Sequence, residues 1–383
     1  MEATYYNFDL AIEHTEDGYF AHAYGEPFGE ARDFFHPPFS EEELEQFLQL
    51  IADPAPENAE RLALQQQTAR SFGERLFHAV FRHNLRSSLQ SSYQMVYQQR
   101  AHLRLRIQLA TTPEFVNLPW EYLYDPGRGE FLALSVHAPS LRYLQLMHRI
   151  LPLRIDPPLR VLVVMPSPGG YPPLTGESNW LNLLDTLDHL ALDGKMKLER
   201  LQKPTLLDLQ RRLRQQDFHI LHFLGHASYD SATQDGSLVF EDEMGRGRLV
   251  SGQHLGMLLR DHFALRLVTL EACAVAPIMR QNPYVGVAQS LVQRGLPAAV
   301  ALQFAPTEAT KAAFRNEFYT SISNCTPVDV ALTAARRAMQ TVDQSTAWGA
   351  PMLLMRISDG KLFDDAPTRQ PRPIREPFRR ATR

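Results

Sequence analysis

The sequence predicts an α/β fold, a parallel-rich sheet with helices on both faces over residues 157–363, preceded by a smaller α+β region at 1–156. Three observations carry this. Leu159-Arg160-Val161-Leu162-Val163-Val164-Met165 is nearly all apolar, as central parallel strands are. From there strand and helix patterns alternate to residue 357. Two further apolar runs end on chemically useful residues: Phe218 to Leu224 leads into Gly225-His226, and Leu267 to Ala272 leads into Cys273.

In chain order, Tyr5 to Ile12 reads as an opening strand. Ser40 before Glu41-Glu42-Glu43 is a capping box for a helix to about Ala52, which Asp53-Pro54 stops. Arg70 to Gln99 is the longest helical pattern. Leu103 to Leu109 alternates apolar and polar residues, predicting a half-exposed strand. A boundary falls at Asp156-Pro157-Pro158. Beyond it the pattern predicts helices over 177–192, 205–215, 252–261, 284–294, 307–322 and 327–341. Strands are expected at 196–201, 218–224, 266–272, 298–302 and 351–357. Residues 364–383 hold six arginines, four prolines and almost nothing apolar, so a disordered tail is expected.

At 383 residues, with 44% hydrophobic and 21% charged, the chain suits two or three domains and can bury a sizeable core. A net charge of −4 gives no reason to expect nucleic acid except through the basic tail. No apolar run approaches the roughly 18 residues of a membrane span, and Met1-Glu2-Ala3-Thr4 opens no signal segment. Two cysteines, Cys273 and Cys325, exclude a disulfide framework and fit a reduced, cytoplasmic setting.

Residues just past the carboxyl ends of neighbouring parallel strands gather in one crevice. His226 and Cys273 would meet there if their strands are adjacent. A thiol, with pKa of about 8.5, needs a base to become the attacking thiolate, and that base later protonates the leaving amine. The N–H groups of Ala227 and Cys273 are the expected donors to the oxyanion. Taken singly, a cysteine ending an apolar strand is more often a small buried hydrophobe, and a histidine after glycine a turn residue. Zinc on His219, His222 and His226 is not expected: a three-residue step puts the first two on opposite strand faces. No phosphate loop, dinucleotide fingerprint or nucleophile elbow is present, and no cofactor or metal is expected.

These segments resemble the CHAT domain, a caspase- and separase-like cysteine peptidase family. The likeness spans His219 to His226, Leu267 to Cys273, Ala288 to Ala298, Val300 to Phe304, Phe314 with Phe318-Tyr319, Asp329 to Leu332 and Trp348 to Pro351. Upstream, Leu118-Pro119-Trp120-Glu121-Tyr122-Leu123-Tyr124 matches an element that accompanies it. Order and spacing, rather than one motif, carry the likeness, from about residue 70 to 357. The resemblance implies a caspase-like sheet, a catalytic dyad of His226 and Cys273, and oxyanion donors at Ala227 and Cys273. Two departures stand out: Ala227 replaces the family's usual glycine, and Ala274 replaces a usual polar residue. An alanine forced to positive φ would be strained.

The resemblance also implies a specificity site. Glu271 shares a strand face with Cys273, and in related metacaspases an acid at that offset binds a basic side chain before the cleaved bond. Gln303 and Glu308 are the further expected pocket residues, the latter through a separase-like Thr307-Glu308. The sequence leaves open that Glu271 serves only an ion pair. The expected function is a regulated cytoplasmic cysteine endopeptidase cutting a protein partner after Arg or Lys in bacterial defence or cell death, under an activating partner protein. The alternative is a catalytically silent CHAT-like adaptor. Residues 1–156 permit an inactive, protease-like companion domain, as larger relatives carry. Tyr229 to Gly247 reads as a polar regulatory loop.

Overall fold

The computed structural model describes residues 4–25, 27, 29–54, 56–145, 150–172, 176–230, 232, 235–272 and 281–365. Cys273, Ala274 and the tail from Ala366 lie outside the described residues.

The chain opens on an antiparallel meander of β1 (Tyr5–Thr15), β2 (Gly18–Gly25) and β3 (Gly29–Phe34). Helix α1 (Glu41–Ile51) starts with the expected capping box: the Ser40 hydroxyl accepts from the Glu43 N–H at 3.2 Å, and the Glu43 carboxylate accepts from the Ser40 N–H at 2.8 Å. The helical pattern ending at Gln99 is two helices, α2 (Ala59–Val80) and α3 (His83–Gln98). The break between them turns Phe81 into the core against Phe77 and Phe8.

Strand β4 (His102–Gln108) corrects an expectation. Its alternation promised one solvated face, yet Arg104, Arg106 and Gln108 are buried like Leu105 and Ile107 between them. The polar face meets its own counter-charges. Arg106 pairs with Asp9 on the neighbouring β1, and Arg104 reaches Asp329 at 2.6 Å. Burial of such charges is tolerable only with partners and full hydrogen bonding.

Short strands β5 (Tyr124–Asp125), β6 (Glu130–Phe131), β7 (Ser140–Tyr143) and β8 (Leu153–Ile155) lead to the second half. There β9 (Leu159–Val164), α4 (Gly176–Leu192), β10 (Met196–Arg200), α5 (Leu206–Gln215) and β11 (Ile220–Gly225) alternate. An antiparallel insert follows, made of β12 (Ala227–Asp230), β13 (Asp235–Glu241) and β14 (Gly247–Ser251). Then come α6 (Gly252–Leu259), β15 (Leu267–Ala272), α7 (Pro283–Gln293) and β16 (Ala298–Leu302). The chain finishes with α8 (Glu308–Ser323), α9 (Val328–Asp343), β17 (Pro351–Met355) and β18 (Phe363–Asp365). The stretch expected as a regulatory loop is thus largely the β12–β14 sheet, whose Leu238, Phe240 and Val250 pack into the core.

One eleven-stranded sheet, ordered β10-β9-β11-β15-β16-β17-β7-β4-β1-β2-β3, runs through both halves. The five strands from β10 to β16 are parallel; β17 is antiparallel to β16 and pairs with β7, Leu354 opposite Arg142. Alternation along each strand divides the core. Val161, Val163, Ile220 and Val300 face α4, α8 and α9, whereas Leu162, Val164, Phe223 and Leu270 face α5, α6 and α7. Helix α7 lies close on β13 because Gly236 has no side chain: a Cβ there would sit 2.0 Å from the Pro283 carbonyl oxygen. The Asp156-Pro157-Pro158 boundary divides the chain, while the sheet continues across it.

Candidate active site

Strands β11 and β15 are parallel neighbours, with Gly225 opposite Ala272. The next residue on each is His226 and Cys273, so both strands lead into the same sheet edge. His226 is buried, its ring against Tyr171 at 5.3 Å between centroids, and Nε2 lies 2.9 Å from the Pro172 carbonyl oxygen. A carbonyl only accepts, so Nε2 carries the proton. In the neutral ring the lone pair is then on Nδ1, the nitrogen able to act as a base. The Tyr284 hydroxyl, on the first turn of α7, donates to the Gly225 carbonyl at 2.7 Å and steadies the strand exit.

Ala227 opens β12 opposite Leu238. The Val239 N–H donates to the His226 carbonyl at 2.9 Å, which makes His226 and Val239 the hydrogen-bonded pair of that ladder. Antiparallel pairs alternate, so the Ala227 N–H turns away from β13, as an oxyanion donor must. Ala227 is extended and is absent from the residues with positive φ. The alanine at the family's glycine position therefore carries no left-handed strain.

Glu271 points into the core. Its carboxylate is fully buried and gripped by Arg315 of α8, with Nε 2.9 Å from one oxygen and Nη2 2.6 Å from the other. Burial acts to raise its pKa, but Arg315, His222 and Lys311 outweigh that and hold the carboxyl at about 2. Glu308, half exposed, is itself bound to Lys311 at 2.5 Å and lies 3.7 Å from Arg315. Each of the two carboxylates thus has an internal cation, while Glu308 keeps half of its side chain exposed. Under the same strand, His222 touches the Tyr319 hydroxyl at 2.6 Å and the Thr269 hydroxyl at 2.9 Å, and its other nitrogen faces Glu271 at 3.5 Å. Burial first, then Arg315, against the pull of Glu271, lowers His222 to about 4.

Gln303 ends β16 in a second network. Its amide nitrogen donates to Glu121 at 3.1 Å, and its amide oxygen accepts from Arg142 at 3.4 Å. Arg142 in turn forks onto the Glu121 carboxylate at 2.9 and 3.1 Å. The Asn282 side chain donates to the Gln303 carbonyl, while the Asn282 N–H donates to the Asn117 side-chain oxygen at 3.1 Å. Gln303 is therefore a tie between the two halves of the chain. Sequence reasoning assigned no role to Arg315, His222, Arg142, Asn117 or Asn282. His222, Glu121 and Tyr319 lie inside the family-like segments, which was the signal available for them.

A parallel-rich sheet with helices on both faces and a strand-end histidine beside the strand that leads to Cys273 defines a caspase-like class. Residues 70–371 match the model of the CHAT domain, and the chain belongs to that family. Similar solved structures include Saccharomyces cerevisiae separase in complex with securin, at 14% identity over 87% of this chain and 21% of that one, with a TM-score of 0.40. Another is the Arg-specific cysteine proteinase gingipain R, at 12% identity over 72% of this chain and 68% of that one, with a TM-score of 0.44. The chain spans about a fifth of the length of the separase chain. No curated protein matches the sequence. Among the described residues, no helix is long and apolar enough to cross a membrane.

Proposed function

We propose that the chain is a regulated cysteine endopeptidase acting on protein substrates through His226 and Cys273. In this reading Nδ1 of His226 takes the thiol proton, and the thiolate attacks the scissile carbonyl carbon. The oxyanion accepts from the N–H groups of Ala227 and Cys273. His226 then protonates the departing amine, and water releases the acyl group from the sulfur. One observation carries the reading: the Gly225–Ala272 register, which leads His226 and Cys273 out of adjacent strands. The outward N–H of Ala227 and the Nε2-protonated ring support it.

The internal cations of Glu271 and Glu308 argue against a preference for Arg or Lys. Peptides ending in Arg, Asp and Leu measure the preference directly. The resemblance suggests a role in defence or cell death, acting on a protein partner and switched on by another. The test is to express the full chain and its Cys273→Ala and His226→Ala variants, scoring toxicity and cleavage of an unfolded protein. Loss of both activities in both variants is expected. Cleavage that persists in Cys273→Ala sinks the proposal.

A further inference from the structure

We propose that the cavity walled by both halves of the chain is a substrate subsite, which takes an extended stretch of polypeptide some residues away from the bond being cut. It rests on the endopeptidase reading and names where that same substrate is held. The cavity measures about 600 Å³, within the usual range of ligand sites. One wall is Pro37 to Glu41 with Pro113 to Leu118; the other is Tyr229, Gln253 and the exposed side of α7.

Continuity with the candidate site argues for substrate as the occupant. Tyr229 stands three residues beyond His226, and Gln281 directly precedes Asn282, which is tied to both Asn117 and Gln303. Tyr284, within the helical turn before Gly286 of the wall, bonds to the carbonyl next to His226. Among the described residues, the lining thus runs to within three residues of His226 along β12 and to the residue before Asn282.

The lining chemistry suits a peptide. Asn117, Gln253, Gln281, Gln289 and Gln293 offer both donors and acceptors, the pairing that backbone N–H and C=O groups require. Pro37, Pro38 and Pro113 stiffen the rim, and a preformed wall lowers the ordering cost of binding. The only charged lining residues among those described are Glu41 and Glu114. The occupant is therefore an uncharged or basic stretch, and an acidic one is rejected by like charge.

The test uses the full chain and a quenched peptide library with a randomised centre. One form is short; two long forms carry flanks of lysine-glycine-alanine or glutamate-glycine-alanine. Wild type should turn over the lysine-flanked form with kcat/KM about fivefold above the short one, and the glutamate-flanked form should show no such gain. Gln289→Leu and Glu114→Lys should each remove that gain, with the thermal midpoint kept. Anisotropy of the labelled long forms on the Cys273→Ala chain reads binding without turnover. If cleavage occurs but flanks and variants leave the ratio unchanged, the subsite is overturned. If no form is cleaved, yet the lysine-flanked peptide binds and Glu114→Lys abolishes it, the site stands and the endopeptidase reading falls. Neither cleavage nor binding overturns both.

Discussion

Arg315→Met is the perturbation that bears most directly on the charges beneath β15. Arg315 and Glu271 are 1% and 0% exposed, and two short hydrogen bonds join them. Removing the guanidinium strands a buried carboxylate, which costs about 3–5 kcal/mol. At about 2.1 cal/mol/K of unfolding entropy per residue, that lowers Tm by roughly 4–6 °C for a chain of this length. Glu271→Leu combined with Arg315→Met removes both charges, and the double variant should melt close to wild type. The loss in Arg315→Met should also shrink on mild acidification. His222 would no longer be repelled by Arg315 and would face an unpaired carboxylate, so its folded pKa rises and the imidazolium supplies the missing charge. Thermal unfolding of wild type, both single variants and the double variant at pH 7.5 and 5 gives the full cycle. Single and double arginine variants melting at the same temperature would refute the reasoning, because the carboxylate would then not need its partner.

Two further outcomes follow. His222 is held near 4 in the folded chain against 6.5 unfolded, so the unfolded state binds a proton first and stability falls as pH drops from about 6.5 to 4. That loss is on the order of 3 kcal/mol, and His222→Asn should flatten this limb of the Tm–pH curve while leaving the lower Glu271 limb in place. At the tie between halves, Asn117→Ala deletes one acceptor, and the Asn282 amide should exchange its hydrogen about fivefold faster. Asn117→Asp keeps an acceptor oxygen and should restore slow exchange; equal rates in all three proteins would show that the contact carries no coupling.

Where the sequence speaks locally, it spoke clearly. The capping box at Ser40 needs only residues three apart, and the strands from Leu159 onward are recognisable because burial on both faces forces an unbroken apolar run. The strand–helix rhythm made both strands recognisable, but their adjacency entered the sequence reading only as a condition, which the β11–β15 pairing meets. Pairing over distance was not legible. Glu271 looked like a pocket acid because its neutralising arginine lies on α8, far along the chain, and nothing near Glu271 announces it. Alternation on β4 misled for the same reason, since Asp9 and Asp329 are remote in sequence and turn a polar face into a buried one. The β12–β14 insert was read as loop because acidic and glycine residues at its turns outweighed the short apolar runs of its strands.

The two halves are joined in the sheet where β17 pairs with β7, two strands from β15. Without β7, the edge of β17 would present open hydrogen-bonding groups, an arrangement that invites mispairing. Glu121 and Arg142 come from the first half, yet their fork holds Gln303 at the end of β16. Asn117, from the same half, holds the amide of Asn282, the residue that caps α7 and closes the segment beginning at Cys273. Each contact ties a residue that follows β16 or precedes α7 to a group of the first half. The matched family region begins at residue 70 and so contains Asn117, Glu121 and Arg142 as well as His226. The first half thus supplies the groups that hold Asn282 and Gln303, and a partner that shifts it would act on the position of both.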